Sequence, residues 1–224
     1  MYSEANKVNQ EWFQDLSLNG SNNFNEKTEE NVFNEIHKAA ATLINAKPYE
    51  IAGGSSATEL LASLAWSISP KKDENIVSTS SAFPSTVYPW SRVAKNTGTQ
   101  VRLAESKNGF SSINSISNII DKNTSVVCIS HTEYSSGHTY DLDLLADLTH
   151  KKGAILVVDA TQSAGAIPID VEKTKIDVLV SGSYKWLCGP FGSAFMYIRH
   201  SLAKKLNPGL VGFRSHKDMW DLDA

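Results

Sequence analysis

The chain has 224 residues, of which 41% are hydrophobic and 20% are charged, a composition typical of a globular protein with a sizeable core. Its formal net charge is −3, which gives no reason to expect nucleic acid or an anionic membrane surface as a partner. No uninterrupted apolar run approaches the length of a membrane span. We therefore expect neither nucleic acid nor a membrane among its partners.

The cysteines and the N-terminus indicate the compartment. Cys128 and Cys188 are too far apart in sequence for a zinc-binding pattern, and two cysteines do not make a disulfide framework. The first residues, MYSEANKVNQEW, have neither the basic start nor the apolar stretch of a secretory signal. These features predict a reducing compartment, and we expect a cytoplasmic protein.

The first elements can be predicted from the spacing of apolar residues. Residues 1–25 are polar and rich in asparagine, and they allow no structural prediction. Residues 26–46 have apolar side chains at helical spacing, and the run stops at Pro48, so they predict an amphipathic helix. Residues 51–68, IAGGSSATELLASLAWSI, predict a Gly/Ser turn that leads into a second apolar helix.

From residue 75 onward, strand-like and helix-like segments alternate. The predicted strands are NIVSTS, TQVRLA, SVVCIS, AILVVDA, IDVLVSG and SAFMYIR, and the predicted helices are TVYPWSRVAKNT, SINSISNIID and DLDLLADLTHKK. This alternation predicts an α/β fold with a three-layer, doubly wound, mostly parallel sheet, which binds ligands at the carboxyl ends of its strands. We expect residues 1–46 to form an N-terminal segment with its helix and residues 47–224 to form the large domain.

One acid and one lysine follow neighbouring predicted strands. Asp159 ends the apolar run ILVV, and Lys185 lies just past the next strong run, in SGSYKWLCG. The small and aromatic neighbours of Lys185 predict a desolvated, nucleophilic amine, whereas an ordinary surface lysine and a strand-end helix cap are the plainer alternatives for the two residues. Together they could hold the two poles of one planar cofactor. Pyridoxal phosphate (PLP) needs such a pair: an amine for its imine and a carboxylate for its ring nitrogen.

A possible anion site precedes the second helix, in residues 53–59, GGSSATE. The N–H groups and the dipole of a helix N-terminus favour an anion, and Ser55 and Ser56 add hydroxyl donors, although a plain serine N-cap is the alternative. The segment lacks the third glycine of the dinucleotide-binding pattern. A nicotinamide dehydrogenase therefore fits this sequence poorly, and it would leave Lys185 unexplained.

Other residues near the predicted strand ends each have two interpretations. Phe83, in SAFPSTVYPW, could stack on a flat ring or belong to the core. Gln162 could donate to a ring phenolate oxygen or be an ordinary turn amide. Tyr184 could donate to a phosphate or merely pack, and His131 is expected to be a structural histidine.

Taken together, these segments resemble the PLP-binding domain of the class V aminotransferase family, which includes cysteine desulfurases, selenocysteine lyases, kynureninases and isopenicillin N epimerase-like proteins. The resemblance runs from about residue 46 to the end of the chain. Its most specific parts are VVDATQSAGAIPIDV and SGSYKWLCGPFG, and GGSSATELL, FPSTVYPW and EYSSGHTYDL fall in the expected order. It implies the large domain of the type I aminotransferase fold and PLP as the cofactor.

The resemblance implies a role at each matching position. Lys185 would be the catalytic residue and would form the imine with PLP, and Asp159 would pair with the pyridinium nitrogen. The other implied cofactor contacts are Gln162 at the phenolate oxygen, Phe83 on the ring face, Ser55, Ser56, Ala57 and Tyr184 at the phosphate, and Ser183 as a weaker phosphate candidate.

Two departures from the family pattern shape the expected function. Desulfurase-like members tend to have a histidine in place of Phe83, so Phe83 and Tyr184 resemble the kynureninase and epimerase-like branches more. Family members are also longer, and a small C-terminal domain with its carboxylate-binding arginine is not found before residue 224.

We therefore expect a truncated PLP-dependent enzyme that acts on an amino acid, as a lyase, an epimerase or an aminotransferase. The alternative is a catalytically incomplete fragment that binds PLP or a partner protein. Family relatives are commonly homodimers, so we also expect a homodimer in the full-length form and exposed apolar surface on this chain.

Overall fold

A seven-stranded sheet lies at the centre of the computed structural model, which describes residues 1–212, 215, 216 and 218. Its strands are β1 (Ile51–Gly54), β2 (Asn75–Thr79), β3 (Gln100–Ala104), β4 (Thr124–Ser130), β5 (Ile155–Asp159), β6 (Val178–Gly182) and β7 (Ala194–Ile198). The strand order is β1-β7-β6-β5-β4-β2-β3. Strands β2 to β6 are parallel, and β7 is antiparallel to both β1 and β6, which confirms the mostly parallel, doubly wound sheet.

Helices cover both faces of this sheet. They are α1 (Ser3–Asn19), α2 (Glu26–Ile44), α3 (Ala57–Ile68), α4 (Pro84–Thr97), α5 (Ile113–Ser117), α6 (Leu142–His150), α7 (Val171–Thr174) and α8 (His200–Ala203). Val158 packs in a buried cluster with Ile44 of α2 and Leu145 of α6. Its neighbour Val157 points to the opposite face and packs with Leu61 of α3. The two clusters give the three-layer architecture that the alternating pattern predicts.

The apolar runs of the central strands follow from this architecture. All five residues of β2 and all five of β6 are buried. A parallel strand that is covered by helices on both faces needs apolar side chains at consecutive positions instead of every second one. This requirement explains why the runs VVCIS and ILVV predict strands so clearly.

Residues 51–54 differ from the prediction. They form the edge strand β1, with Ile51 opposite Tyr197 of β7, where the sequence predicts a Gly/Ser turn. Half of this strand is glycine, a residue that strands disfavour, so pairing with β7 and not local propensity makes it a strand. A Cβ atom on Gly54 would lie 2.7 Å from the side chain of Leu60, so glycine allows the close approach of β1 to α3.

Helix α4 begins two residues earlier than predicted. Pro84 occupies its first turn, and Pro89 lies inside the helix. Because proline has no N–H, the carbonyl group of Ser85, four residues earlier, lacks its helical donor. The early start leaves Phe83 directly in front of the helix and places Thr86 in its first turn.

The N-terminal region forms two helices. Helix α1, in the segment that allowed no prediction, has no buried residue, and its Phe13 and Leu18 side chains are exposed. Helix α2 packs Ala40 and Ile44 into the same core as the sheet. The boundary between residues 46 and 47 stays a prediction. Among the described residues, no helix is both long enough and apolar enough to cross a membrane.

Candidate active site

A cavity of about 190 Å³ opens at the carboxyl ends of the parallel strands β2, β4, β5 and β6. It lies where the strand order reverses between β2 and β4, the usual ligand position in doubly wound sheets. Of the site residues predicted from the sequence, the cavity is lined by Ser56, Ala57, Phe83, Asp159, Gln162, Tyr184 and Lys185. Ser55 and Ser183 do not line it.

Asp159 is a buried carboxylate with a fixed orientation. It ends β5, and only 6% of its surface is exposed. Its Oδ2 atom accepts a hydrogen bond from the Thr86 hydroxyl at 3.1 Å, and its Oδ1 atom accepts one from the backbone N–H of Thr161 at 3.0 Å. Two elements of the fold therefore hold this side chain against the floor of the cavity.

Lys185 lies on the rim of the cavity and is exposed. Its Nζ atom lies 5.3 Å from the centre of the Tyr184 ring, within the range of a cation–π contact. The prediction that its neighbours desolvate it is wrong, because Tyr184 and Trp186 are 41% and 55% exposed and do not cover the amine. The aromatic neighbours point outward, so the amine is accessible to a ligand in the cavity.

Residues 183–193, between β6 and β7, form the loop that carries Lys185, here called the lysine loop, and its backbone is packed against the domain. Gly165 has a φ of +92°, and a Cβ atom there would lie 2.6 Å from the carbonyl oxygen of Trp186. The loop therefore lies directly on Gly165, at a distance that only glycine allows. This contact fixes the backbone that carries Lys185.

The N-terminus of α3 forms one wall of the cavity. Ser56 caps the helix, and its Oγ atom accepts a hydrogen bond from the Glu59 N–H at 3.1 Å. The amides of Ala57 and Thr58 also belong to the first turn, where no intrahelical acceptor is available. The N-cap alternative for Ser56 is confirmed, and the same geometry presents helix N–H groups to an anion.

Ser55 is turned to the Glu59 carboxylate. Both its N–H, at 2.7 Å, and its hydroxyl donate to Glu59 Oε2, and these hydrogen bonds lower the pKa of Glu59. The structure therefore places the donors of Ser55 on a carboxylate of the same turn. Its predicted phosphate role stays a prediction.

Phe83 and Tyr134 face each other at the cavity mouth. Their ring centres are 5.4 Å apart in an edge-to-face arrangement, and the rings are 44% and 53% exposed. Phe83 is therefore not a core residue, and one face of its ring is available for stacking. Gln162 is half-buried and contributes to the same cavity.

Ser183 lies outside this group of residues. It is buried, and its hydroxyl donates to the carbonyl oxygen of Pro190 at 2.5 Å. Its side chain faces a second cavity, between the loop and α2. Its weaker assignment to the phosphate stays a prediction that this geometry does not support.

His131 is a buried structural histidine, as expected. Its Nδ1 atom lies 2.9 Å from the Ser163 hydroxyl, and its backbone N–H donates to the Asp159 carbonyl oxygen at 2.9 Å. Burial lowers its pKa to about 4, because the charged imidazolium loses its hydration. The ring therefore stays neutral at physiological pH, and the backbone N–H of His131 links the end of β4 to β5.

Several hydroxyl groups that were not predicted from the sequence line the cavity. They belong to Thr58, Ser85, Ser130, Thr132, Tyr134 and Thr161. The hydroxyl oxygens of Thr58 and Ser85 are 2.7 Å apart and connect the first turns of α3 and α4. Thr58 could have been predicted as a phosphate contact, because it lies in the segment GGSSATE, one position after Ala57.

The chemistry of these residues fits PLP. The buried Asp159 suits a protonated ring nitrogen, and Lys185 supplies an accessible primary amine. Phe83 offers a flat ring for stacking. The first-turn amides of α3, with the hydroxyls of Thr58 and Ser85, suit a phosphate group. The fold and this set of residues together define the large domain of a PLP-dependent protein of the type I fold.

Comparison with known proteins gives the family. The sequence model described as aminotransferase class V matches residues 4–219. The chain belongs to this family, and PLP is the cofactor that membership indicates for the cavity.

Individual relatives agree with this assignment. The chain is 34% identical to the uncharacterized aminotransferase YcbU of Bacillus subtilis over 199 residues, which cover 89% of this chain and 52% of YcbU. It is 30% identical to a probable cysteine desulfurase of Pyrococcus abyssi over 84% of this chain and 47% of that protein. The apo structure of the cysteine desulfurase from Thermococcus onnurineus NA1 is similar with a TM-score of 0.76 at 29% identity, covering 83% of this chain and 46% of that one. The chain spans about half the length of the curated relatives it matches.

Proposed function

We propose that this chain is the cofactor-binding part of a PLP-dependent enzyme that acts on an amino acid, with Lys185 as its catalytic residue. The observation that carries the proposal is the position of Asp159 and Lys185. Asp159 ends β5 and Lys185 follows the neighbouring strand β6. Both line one cavity, Asp159 as a fixed, buried carboxylate and Lys185 as an accessible amine. A cofactor with a ring nitrogen that takes up a proton at one side and an aldehyde at the other matches this pair.

Different side chains of the cavity would bind different parts of PLP. Asp159, oriented by Thr86 and Thr161, would hold a proton on the ring nitrogen. Phe83 would cover one ring face and exclude water from it. Thr58 and the first-turn amides of α3 would bind the phosphate. PLP, when bound, supplies an electron sink for charge that develops at the substrate α-carbon.

Lys185 would have two tasks. Its amine would hold the cofactor covalently. As a free amine, Lys185 Nζ would accept the proton of the substrate α-carbon. This proton transfer begins transamination, epimerisation and β-elimination alike, so we propose aminotransferase, epimerase or lyase chemistry, including the desulfurase type.

The test of the proposal is the visible absorbance of a PLP–lysine Schiff base after PLP is added to the purified chain. We expect the absorbance in the natural protein and in Lys173→Ala, which removes an exposed lysine of α7. We expect its loss in Lys185→Ala. A folded natural chain without this absorbance, or a Lys185→Ala variant that retains it, would overturn the proposal.

A second candidate function is PLP binding without turnover. It is supported by the exposed positions of Lys185 and Tyr184, which leave the cavity open in this chain. A panel of amino acids in heavy water separates the two candidates, since an active site exchanges the α-proton for deuterium. Schiff-base absorbance without exchange for any amino acid would favour the second candidate.

We also propose that the full-length protein is a cytoplasmic homodimer. Phe191, in the lysine loop, stacks on Tyr184 with ring centres 4.9 Å apart and is 83% exposed, so a large aromatic surface borders the site. Sedimentation of the full-length protein tests the dimer. A sedimentation coefficient of a monomer at all concentrations would contradict it.

A further inference from the structure

We propose that Glu133 is a positioning residue that holds Phe83 and Tyr134 in the orientation needed to bind PLP. This inference rests on the proposed function. Glu133 itself does not line the cavity, but Tyr134, the next residue in the chain, does. Ser81, a hydrogen-bond partner of Glu133, lies two residues before Phe83.

One carboxylate oxygen joins three segments of the chain. Oε1 of Glu133 accepts hydrogen bonds from the hydroxyls of Thr79 at 3.1 Å, Ser81 at 2.9 Å and Tyr140 at 3.2 Å. Thr79 ends β2, Ser81 lies in the loop to α4, and Tyr140 lies on the far side of the loop that carries Tyr134. The carboxylate therefore connects the β2–α4 loop to the β4–α6 loop.

The Glu133 backbone adds further constraint to its own loop. Its N–H donates to the His138 carbonyl oxygen at 2.8 Å, and its carbonyl oxygen accepts from the Gly137 N–H at 2.9 Å. These bonds close residues 133–138 into a tight turn. Tyr134 lies inside this turn, so the turn fixes the backbone that carries its ring.

The two aromatic rings lie on separate loops, and the Glu133 side chain bonds to both loops. Phe83 and Tyr134 are 44% and 53% exposed, and they come from two different loops. Their edge-to-face contact at 5.4 Å forms only when both loops keep a fixed separation. The hydrogen bonds of Glu133 set that separation.

The chemistry of Glu133 also points to a role beyond stability. The residue is 1% exposed, its Oε2 atom is buried without a hydrogen-bond partner, and no salt bridge among the described residues includes it. Burying a carboxylate in this way costs free energy that an apolar core would not. A function that depends on the geometry of the two loops explains why a carboxylate occupies this position.

The main test compares Glu133→Ala with the conservative Glu133→Gln, which retains an acceptor oxygen. The readouts are the dissociation constant of PLP and the circular dichroism per molecule of bound PLP, which reports how the ring is held. We expect Glu133→Ala to raise the dissociation constant about five- to tenfold, the range expected from loss of an ordered aromatic contact. Its dichroism should fall, and Glu133→Gln should remain within about twofold of the natural protein.

A matched control separates positioning from stability. Asp177 is another buried carboxylate, at the opposite end of the sheet, where it accepts from His150 and from the Leu156 N–H. We expect Asp177→Asn to lower Tm as Glu133→Ala does, without changing PLP affinity or dichroism. If Glu133→Ala behaves like this control, the positioning role is wrong.

A double-mutant cycle tests the route of the effect. In a Phe83→Ala background, Glu133→Ala should weaken PLP binding by less than about twofold, because the contact between the two rings that Glu133 positions is already lost. An unchanged fivefold effect in that background would overturn the inference.

If Glu133→Ala does not fold, Ser81→Ala removes one of the three donors and should show a smaller loss in the same direction. Failure of the natural chain to bind PLP would reject the proposed function, whereas normal binding with no effect of these variants would reject only the role of Glu133.

Discussion

The hydroxyl of Thr86 donates a hydrogen bond to Oδ2 of Asp159 at 3.1 Å and connects the first turn of α4 to the end of β5. Thr86 is fully buried, and Asp159 is 6% exposed. The second oxygen of Asp159 is held by the Thr161 N–H. The carboxylate that would meet the ring nitrogen is therefore oriented by the fold itself.

Replacing Thr86 with valine tests this relationship. Thr86→Val keeps the shape of the side chain and leaves a buried carboxylate oxygen without its donor, so we expect the free energy of unfolding to fall by about 1–3 kcal/mol. PLP affinity should fall about tenfold, since Asp159 can then turn away from the ring nitrogen. Urea unfolding and titration of the Schiff-base absorbance measure the two effects.

Thr86→Ser is the control for this experiment, because it retains the hydroxyl. It should bind PLP within about threefold of the natural protein. Equal losses of PLP affinity in Thr86→Ser and Thr86→Val would contradict the role of the hydrogen bond, because Thr86→Ser retains the hydroxyl that donates it.

Much of the fold could be predicted because buried parallel strands leave a strong pattern. The runs that form β4, β5 and β6 are apolar at consecutive positions, and each is followed by polar residues at the same edge of the sheet. Asp159 and Lys185 could be paired from this pattern alone. Their meeting at one cavity follows from the parallel direction of the strands.

Other features of the fold and the candidate site depend on tertiary contacts that the local sequence does not encode. Strand β1 is half glycine and becomes a strand only through its pairing with β7. The exposure of Lys185 depends on which side of its loop packs on Gly165. Whether Ser55 or Thr58 faces the cavity depends on the phase of the first turn of α3, which a shift of one residue changes.

The buried His131 predicts a pH dependence of stability. Its folded-state pKa is about 4, below the usual value of 6.5, because of burial. The neutral ring therefore contributes fully above about pH 6.5, and this contribution is lost as the pH falls toward 4. The full loss is about 3 kcal/mol, since each pKa unit corresponds to roughly 1.4 kcal/mol.

Urea unfolding at several pH values between 7 and 4 measures this dependence. His131→Gln cannot become charged in that range, so its free energy of unfolding should fall less steeply with acid than that of the natural protein. Parallel pH profiles for the two proteins would show that other groups cause the acid sensitivity.

Two glycines allow a test of the lysine loop. An alanine at Gly165 would have a φ of +92°, and its Cβ atom would lie 2.6 Å from the carbonyl oxygen of Trp186. Gly192 has a similar φ of +82°, but a Cβ atom there would have no atom within 4 Å. We expect Gly192→Ala to cost about 1 kcal/mol from backbone strain, and Gly165→Ala roughly 2–4 kcal/mol because the loop must also move. Thermal unfolding measures both costs.

The variants Gly165→Ala and Gly192→Ala also show whether displacement of the loop, and not backbone strain alone, changes the rate of PLP binding. Gly165→Ala should slow Schiff-base formation at Lys185, since the backbone of the loop is displaced, and Gly192→Ala should not. Similar rates in the two variants would mean that the contact of Gly165 with Trp186 does not position the lysine.

Thr58 is the residue we expect to contact the phosphate, in place of Ser55. Its hydroxyl lies at the first turn of α3 beside that of Ser85, whereas both donors of Ser55 are directed at the Glu59 carboxylate. Because a hydrogen bond to a charged group contributes about 1.5–3 kcal/mol, Thr58→Val should weaken PLP binding tenfold or more. Ser55→Ala should change it by less than about threefold.

Pyridoxal, which lacks the phosphate, shows whether these effects act on that group. Thr58→Val should bind pyridoxal as well as the natural protein does, because only the phosphate contact is lost. Thr58→Ser retains the hydroxyl and should restore most of the PLP affinity. If Thr58→Val weakens both ligands equally, the hydroxyl instead stabilises the wall between α3 and α4. If Ser55→Ala is the variant that loses PLP selectively, Glu59 must release Ser55 when the phosphate binds, and the earlier assignment of Ser55 is the correct one.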